Sequence, residues 1–155
     1  MKAENLNAFL IETRKIFEDL GLGTLTFSNP TASKGLNLPK GKDKEHIGIK
    51  IKENLRGVVV YSIDKKLKER IMETFINKLT HRSMDFRTHE SSVPEFFNII
   101  TGNVATAFYQ MIKRRVDISP PFYINDPSPY RLNDFIIVPF KTDKGEEMIV
   151  NLHIV

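Results

Sequence analysis

Laid out as an extended chain, Ile47, Ile49 and Ile51 fall on one side, and His46, Gly48, Lys50 and Lys52 on the other. Strict alternation over seven residues marks a half-buried β-strand. Such a strand needs a cover on one face only, and this constrains the fold more than any other feature of the chain. Turn residues 53–57 follow, then the apolar run Val58-Val59-Val60-Tyr61-Ser62-Ile63, so the segment reads as a hairpin. A second hairpin reads at 134–141 and 148–155, joined by Thr142-Asp143-Lys144-Gly145. Pro139 has no N–H for a ladder, so its strand is expected at an edge, or to stop early. The run Phe135-Ile136-Ile137-Val138 lacks alternation, which fits a strand buried on both faces.

Three helical segments supply the cover. Residues 3–20 place Leu6, Phe9, Leu10, Ile16, Phe17 and Leu20 on one face, with Gly21 as the C-cap. Asp64 reads as the N-cap of a helix to about Leu79, whose apolar set is Leu67, Ile71, Phe75 and Leu79, flanked by Met72 and Ile76. After a polar stretch, 80–90, a third helix is expected over roughly 92–115. Residues 24–28 read as a short strand. Residues 29–44, with Pro30, Pro39, Gly35, Gly41 and several lysines, read as an exposed loop. Phe122-Tyr123-Ile124 is a short apolar piece after Ser119-Pro120-Pro121, and 125–129 is turn chemistry. The expected order is α-β-β-β-α-α-β-β-β, an α+β fold in a single domain over 1–155, with no internal repeat and no dividing linker.

Composition narrows the function classes. Hydrophobic residues are 41% and charged residues 27%, both near the globular average. The chain has no cysteine, which excludes disulfides, thiolate catalysis and Cys-ligated metal, and fits a reducing compartment. His46, His81, His89 and His153 show no metal-ligand spacing, so no metal site is expected. A formal charge of +4 is too modest to imply nucleic acid. No apolar run approaches a membrane span. No apolar signal segment follows Met1, so the expected location is cytoplasmic.

The third helix carries the chemistry. At about 100° per residue, Val93, Phe97, Ile100, Val104, Phe108 and Met111 form a core stripe. The opposite arc holds Ser91, Glu95, Asn98, Gly102 and Tyr109. Glu95 and Asn98, three apart, are neighbours on the helix surface. Gly102 removes bulk one turn on, and Ala105 and Thr106 are small, so a partner's backbone can approach. An amide is no base at neutral pH, but it donates and accepts at once and can orient a water. A carboxylate beside it can pair with a partner's lysine. Hydrolysis of an activated phosphoryl group suits such a pair, because its loose transition state needs alignment more than covalent help. The pair alone is not specific: eleven Glu and eleven Asn give about one Glu-x-x-Asn by chance, and Glu4-x-x-Asn7 is another.

The longer pattern is specific. Ser91-x-x-x-Glu95-x-x-Asn98, then Gly102-Asn103, then Asp117-Ile118-Ser119-Pro120-Pro121, resembles the chemotaxis phosphatase family of CheX and CheC. The order of elements is also that of CheX, over nearly the whole chain. A single motif copy resembles CheX rather than CheC, which carries two. The resemblance implies a CheC/CheX-like fold, mostly antiparallel sheet with long helices on one face. It implies hydrolysis of the aspartyl-phosphate on a CheY-type response regulator. Asn98 would align the attacking water, and Glu95 would pair with the regulator's active-site lysine. Ser91 matches the motif's first position, and Ser91, Gly102 and Tyr109 would meet the partner. Pro121, or Pro120, would be structural, turning the chain out of the helix. The Mg²⁺ would belong to the receiver domain, leaving this protein without a cofactor of its own. A homodimer joined through the sheets is implied, and 135–138 fits it.

One residue departs from the pattern. Pro94 is tolerated only in a first helical turn, so the helix is expected to begin at Ser91 or Ser92, with Ser91 at its edge or outside it. That favours an alternative: a silent CheX-like module that docks a receiver domain or flagellar component without hydrolysis. It also leaves Glu95 a plain role, closing a capping box on Ser92.

Overall fold

The computed structural model describes residues 1–79 and 86–155, with side chains at 1–74 and 91–155. Its elements are α1 (Ala3–Asp19), β1 (Leu25–Phe27), β2 (Thr31–Lys34), β3 (Glu45–Glu53), β4 (Gly57–Ile63), α2 (Lys65–Leu79), α3 (Phe86–Ile112), β5 (Val116–Ile118), β6 (Phe122–Tyr123), a 3₁₀ turn at Ser128–Tyr130, β7 (Asp134–Thr142) and β8 (Glu147–Ile154). The strands form one sheet in the order β1-β7-β8-β4-β3-β5, with β2 beside β7 and β6 beside β3. Every pairing is antiparallel.

The alternation of β3 sets the architecture. Ile47, Ile49 and Ile51 turn to the helices and are buried, together with Val59, Tyr61 and Ile63 of β4 and Val150, Leu152 and Ile154 of β8. Phe9, Phe17, Leu67, Ile71, Phe96, Phe97 and Phe108 close on them from the helix side. Gly48 faces the other way, and a Cβ there would lie 2.7 Å from Ile124 and 2.9 Å from Phe122. Those residues belong to a smaller cluster on the outer face, with Leu36, Val58, Val60 and Phe135. Asn151 anchors it: its Nδ2 donates to the Asn37 carbonyl at 3.0 Å, and its Oδ1 accepts the Asn37 N–H at 3.2 Å. Part of the cover that β7 needs on its second face thus comes from this chain's own loops.

The ends of α1 and α2 follow local rules. Gly21, at φ +85°, closes α1 with the Gly21 N–H on the Glu18 carbonyl and the Leu22 N–H on the Phe17 carbonyl. The Asp64 carboxylate accepts the Leu67 N–H at 2.9 Å and caps α2.

Several expectations are corrected. The loop expected over 29–44 contains β2, which pairs with Asp134–Ile137 of β7. The third helix ends at Ile112 instead of 115, and β5 follows at once. It begins at Phe86, so Pro94 is an interior residue and no first-turn proline. β7 neither stops at Pro139 nor lies at the sheet's edge. Pro139 instead falls between the stretches of β7 paired with β1 and β2, where its carbonyl accepts the Ser28 N–H. A strand residue aims its N–H and C=O at the same antiparallel neighbour. The donor that proline lacks therefore faces a gap in the ladder, and β8 is undisturbed. Phe75, Ile76, Leu79, His81, His89 and the polar stretch 80–90 fall wholly or in their side chains outside the described residues.

Candidate functional site

The site helix is held by its apolar side. Val93, Phe96, Phe97, Ile100, Val104 and Phe108 are fully buried. Tyr61 of β4 stacks on Phe97 with ring centroids 4.4 Å apart. Phe17 of α1 meets Phe96 edge-on at 5.2 Å. Met111, expected in the same stripe, lies near the helix end and is partly exposed.

Fixing that side fixes what the other side shows. Ser91, Glu95 and Tyr109 are exposed, and Asn98 and Gly102 are half-buried, in one stripe along α3. Because α3 starts at Phe86, Ser91 is helical and one turn before Glu95, on its face. The expectation that Ser91 falls at or outside the helix start is overturned with the start itself. The capping box goes too: Ser92 is interior to the helix and buried, so it is no N-cap for Glu95 to close. Among the described residues, Glu95 and Asn98 have no side-chain hydrogen bond or ion pair.

Further along α3, Gly102 and Tyr109 line a groove against β5. The sequence reading brought these two residues to the surface but missed the groove's second wall, because it continued the helix over 113–115. Helix exit is made at Lys113, in the left-handed region at φ +57°, its N–H on the Tyr109 carbonyl. Pro121 lies after β5, just before β6, so it does not make that turn. Its place is the break between the two short strands that pair with β3.

Among the described residues no three His, Asp or Glu side chains converge as a metal site would need, and no helix is long and apolar enough to cross a membrane.

Residues 89–124, which contain the stripe and β5, match the model of the CheC-like family. No curated protein matches the chain. Among solved structures, the chain is similar to a CheC-like superfamily protein from Shewanella sp. PV-4 (TM-score 0.73, 20% identity, covering 100% of this chain and 99% of that one). It is similar to CheX from Vibrio vulnificus (TM-score 0.70, 17% identity, 99% and 100% covered). It is also similar to a chain of the CheX–CheY–BeF₃–Mg²⁺ complex from Borrelia burgdorferi (TM-score 0.68, 20% identity, 99% of each covered). The matched segment, residues 89–124, carries the site helix and is similar to the CheC-like family, and the fold of the whole chain is the one these CheX and CheC-like structures share.

Proposed function

We propose that the protein hydrolyses the aspartyl-phosphate of a CheY-type receiver domain. The observation that carries this reading is the Glu95–Asn98 pair, partnerless among the described residues, on the outward stripe of a helix locked by its core face. The Borrelia burgdorferi complex supports the choice of partner, since there a CheX of the same fold is bound to CheY.

In this mechanism α3 lies across the receiver's phosphorylation site. The Asn98 carboxamide accepts a hydrogen bond from a water and holds its lone pair in line with phosphorus. The water's oxygen forms the new P–O bond, the bond to the aspartyl oxygen breaks, the electron pair leaves with the carboxylate, and one proton of the water passes to a phosphoryl oxygen of the departing phosphate. Little covalent help is needed, because the transition state is loose and alignment dominates. Glu95 pairs with the receiver's lysine and fixes the register. Ser91, Gly102 and Tyr109 contact the receiver along the same stripe. The protein brings no cofactor of its own; Mg²⁺ belongs to the receiver domain.

The late helix start that favoured a silent binding module is absent, since Pro94 leaves Ser91, Glu95 and Asn98 on one face. A charge swap tests Glu95. Glu95→Lys should lower kcat/KM for receiver dephosphorylation by about tenfold or more, and a Lys→Glu change in the receiver should restore part of it. Unchanged kcat/KM in Glu95→Lys would remove Glu95 from the mechanism.

A homodimer joined through the sheets is part of the proposal. Ile137 and Ile149 are half-buried on the outer face, in a groove with Asn37 and Pro39, and a second copy would cover them. Sedimentation at micromolar concentration should give twice the chain mass; a monomer there would contradict it.

A further inference from the structure

The fold supplies no reason for Gly102. Glycine inside a helix costs stability relative to alanine. It is normally explained by positive φ or by a neighbour packed too close for a Cβ. Gly102 is helical, and a Cβ on it would meet only Ile118 Cδ1, at 3.9 Å, an ordinary contact. What the missing side chain does is open a groove of about 260 Å³ between α3 and β5.

The groove's chemistry is one-sided. Ala105 forms its floor and is buried, with Val116 and Ile118 as one wall and the Tyr109 ring at the rim. Part of its polar lining is already engaged. Thr106 Oγ1 donates to the Gly102 carbonyl at 3.1 Å, and Arg115 Nη2 pairs with Asp117 Oδ2 at 3.4 Å. Most of what remains open to an occupant is carbon, with the Tyr109 hydroxyl and the Arg115 guanidinium at the margin. The volume falls below the roughly 300–1,000 Å³ of small-molecule sites, so a single side chain fits better than a free ligand.

Distance ties the groove to the reaction. Gly102 lies about 6 Å along the helix from Asn98, and Tyr109 about 16 Å, at 1.5 Å per residue. A standard protein interface covers about 800 Å² per partner, a disc of radius about 16 Å. A receiver centred on Asn98 therefore covers the Gly102 end of the groove and reaches its Tyr109 rim.

We propose that the groove between α3 and β5 is the specificity pocket of the docking surface, taking one apolar side chain of the receiver domain beside the phosphorylated aspartate. This rests on the phosphatase reading above. The pocket contributes affinity and partner choice, not water alignment, so its loss acts on KM.

Two variants test it, with acetyl-phosphate-loaded receiver domains as substrates and circular dichroism as the check on folding. Gly102→Leu fills the groove with a better helix former; Tyr109→Ala removes its rim. Both should raise KM about tenfold, equivalent to about 1.4 kcal/mol, with kcat close to wild type. If Asn98→Ala is inactive while folded Gly102→Leu and Tyr109→Ala keep the wild-type KM, the pocket is overturned and the phosphatase reading stands. If the wild type dephosphorylates no receiver, the phosphatase reading falls, and binding to beryllofluoride-loaded receivers decides the pocket. Weaker binding of both variants would uphold it; equal binding would overturn it.

Discussion

Tyr61 Oη and Thr101 Oγ1 lie 2.8 Å apart, a hydrogen bond inside the apolar layer between β4 and α3. The Thr101 hydroxyl gives its only proton to the Phe97 carbonyl, also at 2.8 Å. The phenol is therefore the donor between the two. Both side chains are fully buried. The bond fixes the rotation of α3 against the sheet, and with it the outward aim of Asn98, three residues from Thr101.

The direction of that bond makes the two deletions unequal. Thr101→Val strands a buried phenol donor and should cost about 1–3 kcal/mol. Tyr61→Phe leaves Thr101 bonded to Phe97 and should cost about 1 kcal/mol or less. Urea unfolding of both variants measures the difference, and equal costs would contradict the assignment.

Alkaline pH reads the same site. Burial pushes the Tyr61 phenol well above its ordinary range. An unfolded tyrosine titrates near pH 10. Folding thus favours the protonated phenol, and this contribution is fully present below about pH 10 and lost as pH rises beyond it. Wild type should lose stability above pH 10 more steeply than Tyr61→Phe.

Pro94 reports on the helix start. An interior proline removes one helical hydrogen bond and crowds the carbonyl four residues back, a cost of about 3 kcal/mol. Since α3 extends eight residues before Pro94, Pro94→Ala should stabilise the protein by about 1–3 kcal/mol in thermal unfolding. A helix starting at Ser91 would make the change nearly neutral.

The Arg70–Glu146 pair ties α2 to the β7–β8 turn. Arg70 Nε reaches the two carboxylate oxygens at 2.8 and 3.0 Å, and Nη2 also donates to the Leu22 carbonyl at 2.8 Å. Thr142 Oγ1 donates to the same carboxylate at 2.8 Å. The side chains are only 16% and 8% exposed. Arg70→Met should cost about 3–5 kcal/mol, because it leaves the Glu146 charge buried without its cation. A loss under 1 kcal/mol by chemical denaturation would show that water reaches the carboxylate.

Much of this was legible in the sequence because it follows from periodicity. The alternation at 46–52, the stripe of α1 and the Asp64 cap are local patterns with local causes. The outward stripe from Ser91 to Tyr109 was legible as an arc on a helix. The rest depends on long-range partners. Thr31–Lys34 has no apolar pattern, and it is a strand because β7 offers unpaired backbone groups on that side. Val116–Ile118 follows the charged run Lys113-Arg114-Arg115, and only its pairing with β3 takes it out of the helix. Pro94 misleads because the proline rule is local. Burial of Val93, Phe96 and Phe97, at about 1.5–3 kcal/mol each, outweighs the proline and carries the helix through it.

The most direct test of the account is the lifetime of aspartyl-phosphate on a receiver domain from the same organism, measured alone, with this protein, and with Asn98→Ala. The wild type should shorten the lifetime, and a folded Asn98→Ala should return it nearly to the intrinsic value, a loss of about 100-fold or more in acceleration. Acceleration that survives in Asn98→Ala would contradict it.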